Sequence, residues 1–331
     1  MIKMIIKTPS RLHMTLIDLN GSYGRADGGI GLTIAKPNLC LKGEEAEKGI
    51  AIEFNENIAN EDIKKESIKK ISDSAQKVCS YFDLDTGFHF EVEEAYLPHS
   101  GLGSGTQISL ATAKLICEHI GKNLNGVELA NIVGRGGTSG VGIFSFDHGG
   151  FLVDGGHNLK EKGTFLPSAA SPAKPPKLIG RYDFPEDWGI VVAIPQADHS
   201  VTGEKEIDLF QNYCPVPVRD VEQLSHLILM NLLPFLLEKD INSFGSVINR
   251  IQNLGFKKVE VSLQPKKVKS LMENMVEWGA YGVGMSSFGP TVYGIIDKKN
   301  QNVFKATKEF VGDDGIVLMT NAQNHGYELK K

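Results

Sequence analysis

The stretch "PHSGLGSGTQISLATA", Pro98 to Ala113, places three glycines in five residues (Gly101, Gly103, Gly105) and then runs directly into an apolar helical pattern. Glycine is costly in an ordered chain unless the backbone needs φ > 0 or must approach something closely. Beyond the glycines, Ile108, Ala111, Leu115 and His119 keep helical spacing, and Ser104 or Thr106 stands where a helix cap is expected. A glycine loop opening a helix aims several backbone N–H groups and the positive end of the helix dipole at one spot, which suits phosphate. The loop lacks the Lys of G-x-x-x-x-G-K-[ST] and the spacing of G-x-G-x-x-G. It is therefore neither a Walker loop nor a dinucleotide fingerprint.

On its N-terminal side, strand-like segments occupy Ile2–Lys7, Leu12–Asp18, Ile30–Ala35, Leu39–Lys42 and Ile50–Phe54. A helix is predicted over Glu61–Phe82, capped by Asn60, with Ile68, Ile71, Ala75, Val78 and Phe82 on one face. Phe88–Glu93 alternates like a strand with one wet face. On the C-terminal side come a short helix near Val127–Val133 and an expected hairpin, Ile143–Gly156, turning at Asp147–Gly150. The proline-rich stretch Leu166–Gly180 has linker composition, which sets expected domains of 1–175 and 176–331. Beyond it, a buried strand ("WGIVVAIP"), helices near Arg219–Lys239, Ile241–Leu254 and Pro265–Trp278, a strand at Thr291–Asp297, a helix near Asn302–Val311 and a strand at Ile316–Thr320 give an α+β second half.

The chain has 331 residues, 41% hydrophobic and 23% charged, enough for two ordinary cores. Net charge is −5, and the one dense basic run, Gln264–Ser270, reads as a solvated helix face, so no nucleic-acid partner is expected. Four scattered cysteines (Cys40, Cys79, Cys117, Cys214) form no C-x-x-C pair and read as free thiols. The N-terminal apolar stretch is short for a signal peptide, and Leu227–Leu237 is broken by Asn231 and Pro234. A cytoplasmic protein without a membrane partner is the expectation.

A second glycine cluster, "GAYGVGMSSFGPTVYGII" (Gly279–Ile296), joins "PHSGLGSGTQ" and "TPSRLHMTLID" (Thr8–Asp18) in a three-motif series. Taken in order, these resemble the three motifs of the GHMP kinase superfamily, and they span nearly the whole chain. The resemblance implies a two-domain α+β fold, with a ribosomal S5-like N-terminal β/α domain and a ferredoxin-like C-terminal domain. It also implies that the last glycine turn meets the phosphate loop. The departures are as informative. The loop reads Gly103-Ser104-Gly105-Thr106-Gln107 where the kinases favour G-S-S-A, and Ser139-Gly140 is followed by Val141 and Gly142 with no carboxylate. With "GRADGGIGLTI" (Gly24–Ile34) and "DHGGFLVDGGH" (Asp147–His157), these departures resemble the β-ribofuranosylaminobenzene 5′-phosphate synthases, a non-kinase branch in the tetrahydromethanopterin pathway.

What that resemblance implies is a decarboxylating transfer from phosphoribosyl pyrophosphate to 4-hydroxybenzoate or 4-aminobenzoate, releasing carbon dioxide and pyrophosphate. Gly101, Gly103, Ser104, Gly105, Thr106 and Gln107 are the expected anion cradle, helped by Mg²⁺ carried on the substrate phosphates. Arg25 and Asp27 lie on an expected turn, with Gly28 and Gly29 allowing close approach, and Asp27 is the candidate base or magnesium ligand. Arg11 and His13 alternate with apolar Leu12 and Met14, so both face a cleft if the apolar pair faces the core. Arg135 is a candidate clamp for phosphate or carboxylate, and Ser139 and Gly284 complete the expected site. Asp147, His148, Asp154 and His157 lack zinc spacing, and His199 ends a strand where function is common. A homodimer is expected through Leu224–Leu237. Two rivals remain at this point: an ATP-dependent small-molecule kinase on the same fold, and a catalytically silent phosphate sensor.

Overall fold

A computed structural model describes residues 3–168, 170–171, 173–196 and 204–331; the candidate His199 lies outside them. The first half opens with two long strands, β1 (Met4–Asp18) and β2 (Arg25–Ala46), followed by β3 (Ile50–Phe54). The two segments expected on either side of Pro9 are one strand. The β1–β2 register slips between Thr8 and Ser10, and this irregularity absorbs the proline that cannot donate to the ladder. Helix α1 (Glu61–Tyr81) is capped by Asn60, whose side chain accepts from Asp62 N and Ile63 N. Ile71, Ala75 and Val78 face the core as expected, whereas Ile68 is exposed. Strand β4 (Gly87–Glu94) buries Phe88, Phe90 and Val92 and wets the residues between.

Helices α2 (Ser104–His119), α3 (Gly126–Val133) and α4 (Val141–Asp147) come next, then β5 (Phe151–Asp154), β6 (His157–Asn158), α5 (Leu159–Lys162) and β7 (Leu178–Tyr182). The expected hairpin is corrected here. "IFSF" alternates over too few residues to separate strand from helix, and in the fold Ile143, Phe144 and Phe146 are buried from α4. Only Phe151–Asp154 is strand.

The first sheet runs β12-β1-β2-β4-β3, with β5 and β6 pairing β2 and β7 pairing β5. Its strand β12 (Glu328–Lys330) comes from the far end of the described chain. The stretch beyond residue 175 thus contributes both β7 and β12 to the first sheet. The second sheet, β11-β8-β10-β9, is built from β8 (Trp188–Ile194), β9 (Gly282–Met285), β10 (Val292–Asp297) and β11 (Ile316–Thr320), all antiparallel. Between β8 and β9 lie α6 (Glu204–Tyr213), α7 (Val218–Leu227), a π-helical turn at Ile228–Leu232, α8 (Leu233–Glu238), α9 (Ile241–Ile251), α10 (Gly255–Ser262) and α11 (Lys266–Glu277); α12 (Asn302–Val311) precedes β11. The expected α+β class is met. Cys117 is buried, Cys79 is half-buried, and all four cysteines are unpaired. Among the described residues no helix is long and apolar enough to cross a membrane.

Candidate active site

The glycine loop builds the outer half of a cleft. Its helix begins at Ser104 and is capped by Gly103 at φ +83°, with no side-chain cap, so neither Ser104 nor Thr106 plays the expected capping role. The first-turn N–H groups of Ser104 and Gly105 have no acceptor within the helix and are left to a ligand. Glycine is needed at 103 twice over: φ is left-handed, and a Cβ would stand 3.2 Å from the Arg11 guanidinium. Arg11 donates to Gly101 O, and Arg135 Nη2 donates to Gly105 O at 3.0 Å. Burial pulls the Arg11 guanidinium down to about 10, and it lowers Arg135 and Lys70 as well. Lys70 of α1 pairs with Glu66 at 3.5 Å. These cations and the loop enclose about 250 Å³. Crowded, desolvated cations beside free amides favour an anion strongly.

The second glycine cluster meets this loop, as the resemblance implied: Gly289 lines the same cavity, and serine and threonine supply the hydrogen bonds. Ser286 Oγ accepts from His13 N at 2.9 Å and donates to Gly101 O at 2.7 Å. Thr291 Oγ1 donates to Ser100 O at 2.5 Å. Gly284 sits within β9, packed against Tyr293 and Gln252, away from the cavity.

Next to the cradle lies a narrower slot of about 160 Å³, sharing Arg11, Thr106, Arg135 and Ser287 with it. Leu16, Ile143, Pro167, Phe210 and Phe288 supply apolar walls, and His13, Thr138 and Ser139 line it. Phe210 and Phe288 stand 6.3 Å apart, centroid to centroid. As expected from the alternation in β1, Leu12 and Met14 are in the core while Arg11 and His13 face the cleft. Burial, helped by Arg11 and Lys257, holds the His13 imidazole well below its usual range, so it is neutral. Its Nδ1 is buried without a partner. Glu260 is buried and paired with Lys257, and Glu206, which borders both halves, is pushed up to about 7 by burial and by Glu260. The cleft thus offers an anion cradle opening onto a slot with apolar, partly aromatic walls.

The comparisons with known proteins agree with this architecture. The GHMP kinases N terminal domain model matches residues 66–150 and the GHMP kinases C terminal model matches residues 232–310. "Beta-ribofuranosylphenol 5'-phosphate synthase" of Methanothermobacter thermautotrophicus is 50% identical, covering 98% of this chain and 98% of its own. Its namesake in Methanocaldococcus jannaschii is 47% identical, covering 98% and 100%. The chain belongs to the beta-ribofuranosylphenol 5'-phosphate synthase family. Solved structures of homoserine kinase from Cytophaga hutchinsonii (15% identity, TM-score 0.68, 99% and 97% covered) and mevalonate kinase from Methanococcus jannaschii (16%, 0.68, 97% and 98%) share the fold. This chain departs from the kinase pattern at Gly142. Gly142 lines the slot, and a Cβ there would meet the Thr106 methyl at 3.3 Å, so the position faces the cleft and carries no carboxylate.

Several expected residues of this synthase-family chain lie elsewhere. "GRADGG" is not a turn: Arg25 opens β2, which pairs there with β6 and, at Asp27, with β1. Arg25 is exposed and donates to the Gly155 and Gly156 carbonyls at 2.6 and 3.0 Å. Asp27, at φ +65°, is buried; its Oδ2 accepts from Lys162 Nζ at 2.6 Å and lies 2.5 Å from His157 Nδ1. Neither borders the cleft. Gln107 is buried, with Nε2 donating to Gly142 O at 2.8 Å, and ties α2 to α4 rather than facing the cradle. Asp147 accepts from Gly126 N, and His148 stacks on Phe144. Sequence reasoning missed Lys70, Glu206, Phe210, Glu260 and Phe288. The Lys257–Glu260 spacing of three on a helix was a readable pair signal. Lys70 was indistinguishable from any solvated lysine.

Proposed function

We propose that the chain joins C1 of phosphoribosyl pyrophosphate to the carboxylate-bearing ring carbon of 4-hydroxybenzoate, in tetrahydromethanopterin biosynthesis. The observation that carries this reading is the pairing of a cationic cradle with an apolar, aromatic-walled slot, in a chain half identical to a named ribofuranosylphenol phosphate synthase. The phenol in that name supports the hydroxy acid over the amino acid. In this reading the amides of Ser104 and Gly105, with Lys70 and Arg135, take the pyrophosphate and strengthen as its charge grows. The C1–O bond breaks, and the ring carbon held against the Phe210 and Phe288 wall attacks C1. The carboxylate then leaves as carbon dioxide, and its bonding pair restores the aromatic ring. Arg11, where cradle and slot meet, orients the carboxylate until it departs.

Mg²⁺ fits the donor set at the cradle. Glu66 and Glu206 border it, and Glu206 makes no ion pair among the described residues, so a divalent cation would relieve its raised value. Those two carboxylates would hold the metal, which when bound supplies charge neutralisation to the phosphates. A homodimer through exposed Leu229 and Met230 of the π turn and Leu237 of α8, and a cytoplasmic setting, complete the reading.

Carboxyl-labelled 4-hydroxybenzoate tests it. With Mg²⁺, labelled carbon dioxide is expected only when phosphoribosyl pyrophosphate is present, with ATP unable to replace it. ATP-dependent phosphorylation of a small alcohol without decarboxylation would overturn it.

A further inference from the structure

At the inner end of the slot, three polar atoms converge on a bare α-carbon. Gly29 lies in β2 opposite Asp154 of β5. A Cβ on Gly29 would stand 3.2 Å from His13 Nε2, 3.2 Å from Ser139 Oγ and 3.3 Å from Asp154 Oδ2. These groups come from β1, from the loop before α4, and from β5. A Cβ there would crowd all three atoms, so the position suits only glycine, and the polar nook they form opens on the slot side, where His13 and Ser139 line it.

The nook is held rigidly. Ser139 Oγ donates to Asp154 Oδ2 at 3.0 Å and accepts from Val141 N at 3.2 Å. Asp154 also accepts from Gly140 N at 3.0 Å and Gly156 N at 3.1 Å, and it has no cation partner among the described residues. Asp154 is fully buried and His13 is 7% exposed. His13 and Ser139 border the slot and not the glycine cradle. A ring whose reacting carbon lies toward the cradle therefore points its opposite, para position at this nook.

We propose that this nook, lined by His13 and Ser139 and backed by Asp154, receives the para-hydroxyl of the aromatic acid and holds its proton through the reaction. This rests on the reaction proposed above. His13 is the catalytic residue; Asp154, acting through Ser139 and beside His13, is a positioning residue. As the ring carbon bonds to ribose C1 and the C1–O bond to pyrophosphate breaks, the hydroxyl proton passes to neutral His13 Nε2. The ring becomes a cyclohexadienone that still bears the carboxylate. When the carbon–carboxylate bond breaks and carbon dioxide leaves, the electron pair returns to the ring and the oxygen recovers its proton from His13. No net proton and no oxidant are required. The low basicity of the buried imidazole suits this return, because the proton must not stay.

Calorimetry on the intact protein with 4-hydroxybenzoate and with benzoate tests the nook without turnover. The wild type is expected to favour the hydroxy acid roughly tenfold to a hundredfold, the range for a buried hydrogen-bonding site left unpaired. Gly29→Ala, which crowds His13 Nε2 and Ser139 Oγ out of place, and Ser139→Ala, which removes one partner, should bring the two affinities together while the affinity for phosphoribosyl pyrophosphate holds. His13→Gln should slow carbon dioxide release about 10²–10⁴-fold. Equal affinities in the wild type, or wild-type discrimination in a folded Ser139→Ala, would overturn the proposal even if carbon dioxide is released. Discrimination that collapses in both variants, in a protein releasing no carbon dioxide, would support the nook and overturn the reaction instead. Ser139→Ala decides alone if Gly29→Ala does not fold.

Discussion

The outer half of the cleft is mostly backbone and long cations gathered around one loop, whereas the inner half is side chains drawn from β1, α6, α10 and the loop before α4. The outer half binds charge, through backbone amides and several cations at once. The inner half binds shape and one polar tip, so it depends on buried struts that never touch a ligand. Function in the two halves should therefore fail in different ways.

The largest expected effect is on a strut. Asp27→Asn removes the charge that Lys162 Nζ meets at 2.6 Å, and that same amine reaches Leu166 O, next to the slot residues Pro167 and Ser168. Breaking such a pair costs about 3–5 kcal/mol. A melting curve should show a large loss of stability, with turnover falling as the folded fraction falls. Unchanged stability with abolished turnover would move Asp27 into the chemistry and erase the distinction between strut and lining.

A smaller effect is expected in the cradle. Gly103→Val meets both the left-handed φ and the Arg11 guanidinium. It should weaken phosphoribosyl pyrophosphate by roughly 2–4 kcal/mol while aromatic-acid affinity holds. Calorimetry with each ligand on the folded variant checks it, and a parallel loss for both ligands would show that the halves are not separable.

The smallest effect comes from pH. Burial pushes the Asp154 carboxyl up to about 6 from 3.8, against Ser139, Gly140 and Gly156 donors, with Asp27 opposing ionisation and Lys162 and His13 nearby. Between those two values the folded protein keeps a proton that the unfolded chain has lost. Stability therefore falls as pH rises through about 4 to 6. Turnover should move the other way, rising through about 6 as Asp154 ionises beside His13. Asp154→Asn should flatten both trends in thermal melts and in kcat/KM profiles.

The same contrast decides what the sequence could reveal. Gly101, Gly103 and Gly105 announce a backbone requirement directly, and the β1 alternation placed Arg11 and His13 correctly, because both signals are local. Asp27 misled for a physical reason: "GRADGG" has turn composition, but β1 and β6 pair with it from outside, and pairing partners leave no mark in the segment itself. Phe210 and Phe288 read as ordinary core aromatics, since a slot wall and a core wall demand the same side chains. Asp154 was visible only as one of four scattered metal-type residues; its meeting with His13 across Gly29 is a product of sheet register. The π turn at Ile228–Leu232 was likewise hidden within one continuous helical pattern.

Ser286 joins segments that are remote along the chain: its partners His13 and Gly101 lie 273 and 185 residues away. Contacts across such separations form late, because closing a long loop costs entropy before any bond is gained. The first sheet can pair β1 with β2 while the glycine loop still lacks this clasp. The anion cradle is then among the last parts of the molecule to mature and among the first to open in local unfolding. Amide exchange at Gly101–Gly105 should accordingly outpace exchange in β1 and β2, and slow when a pyrophosphate ligand binds only the clasped form.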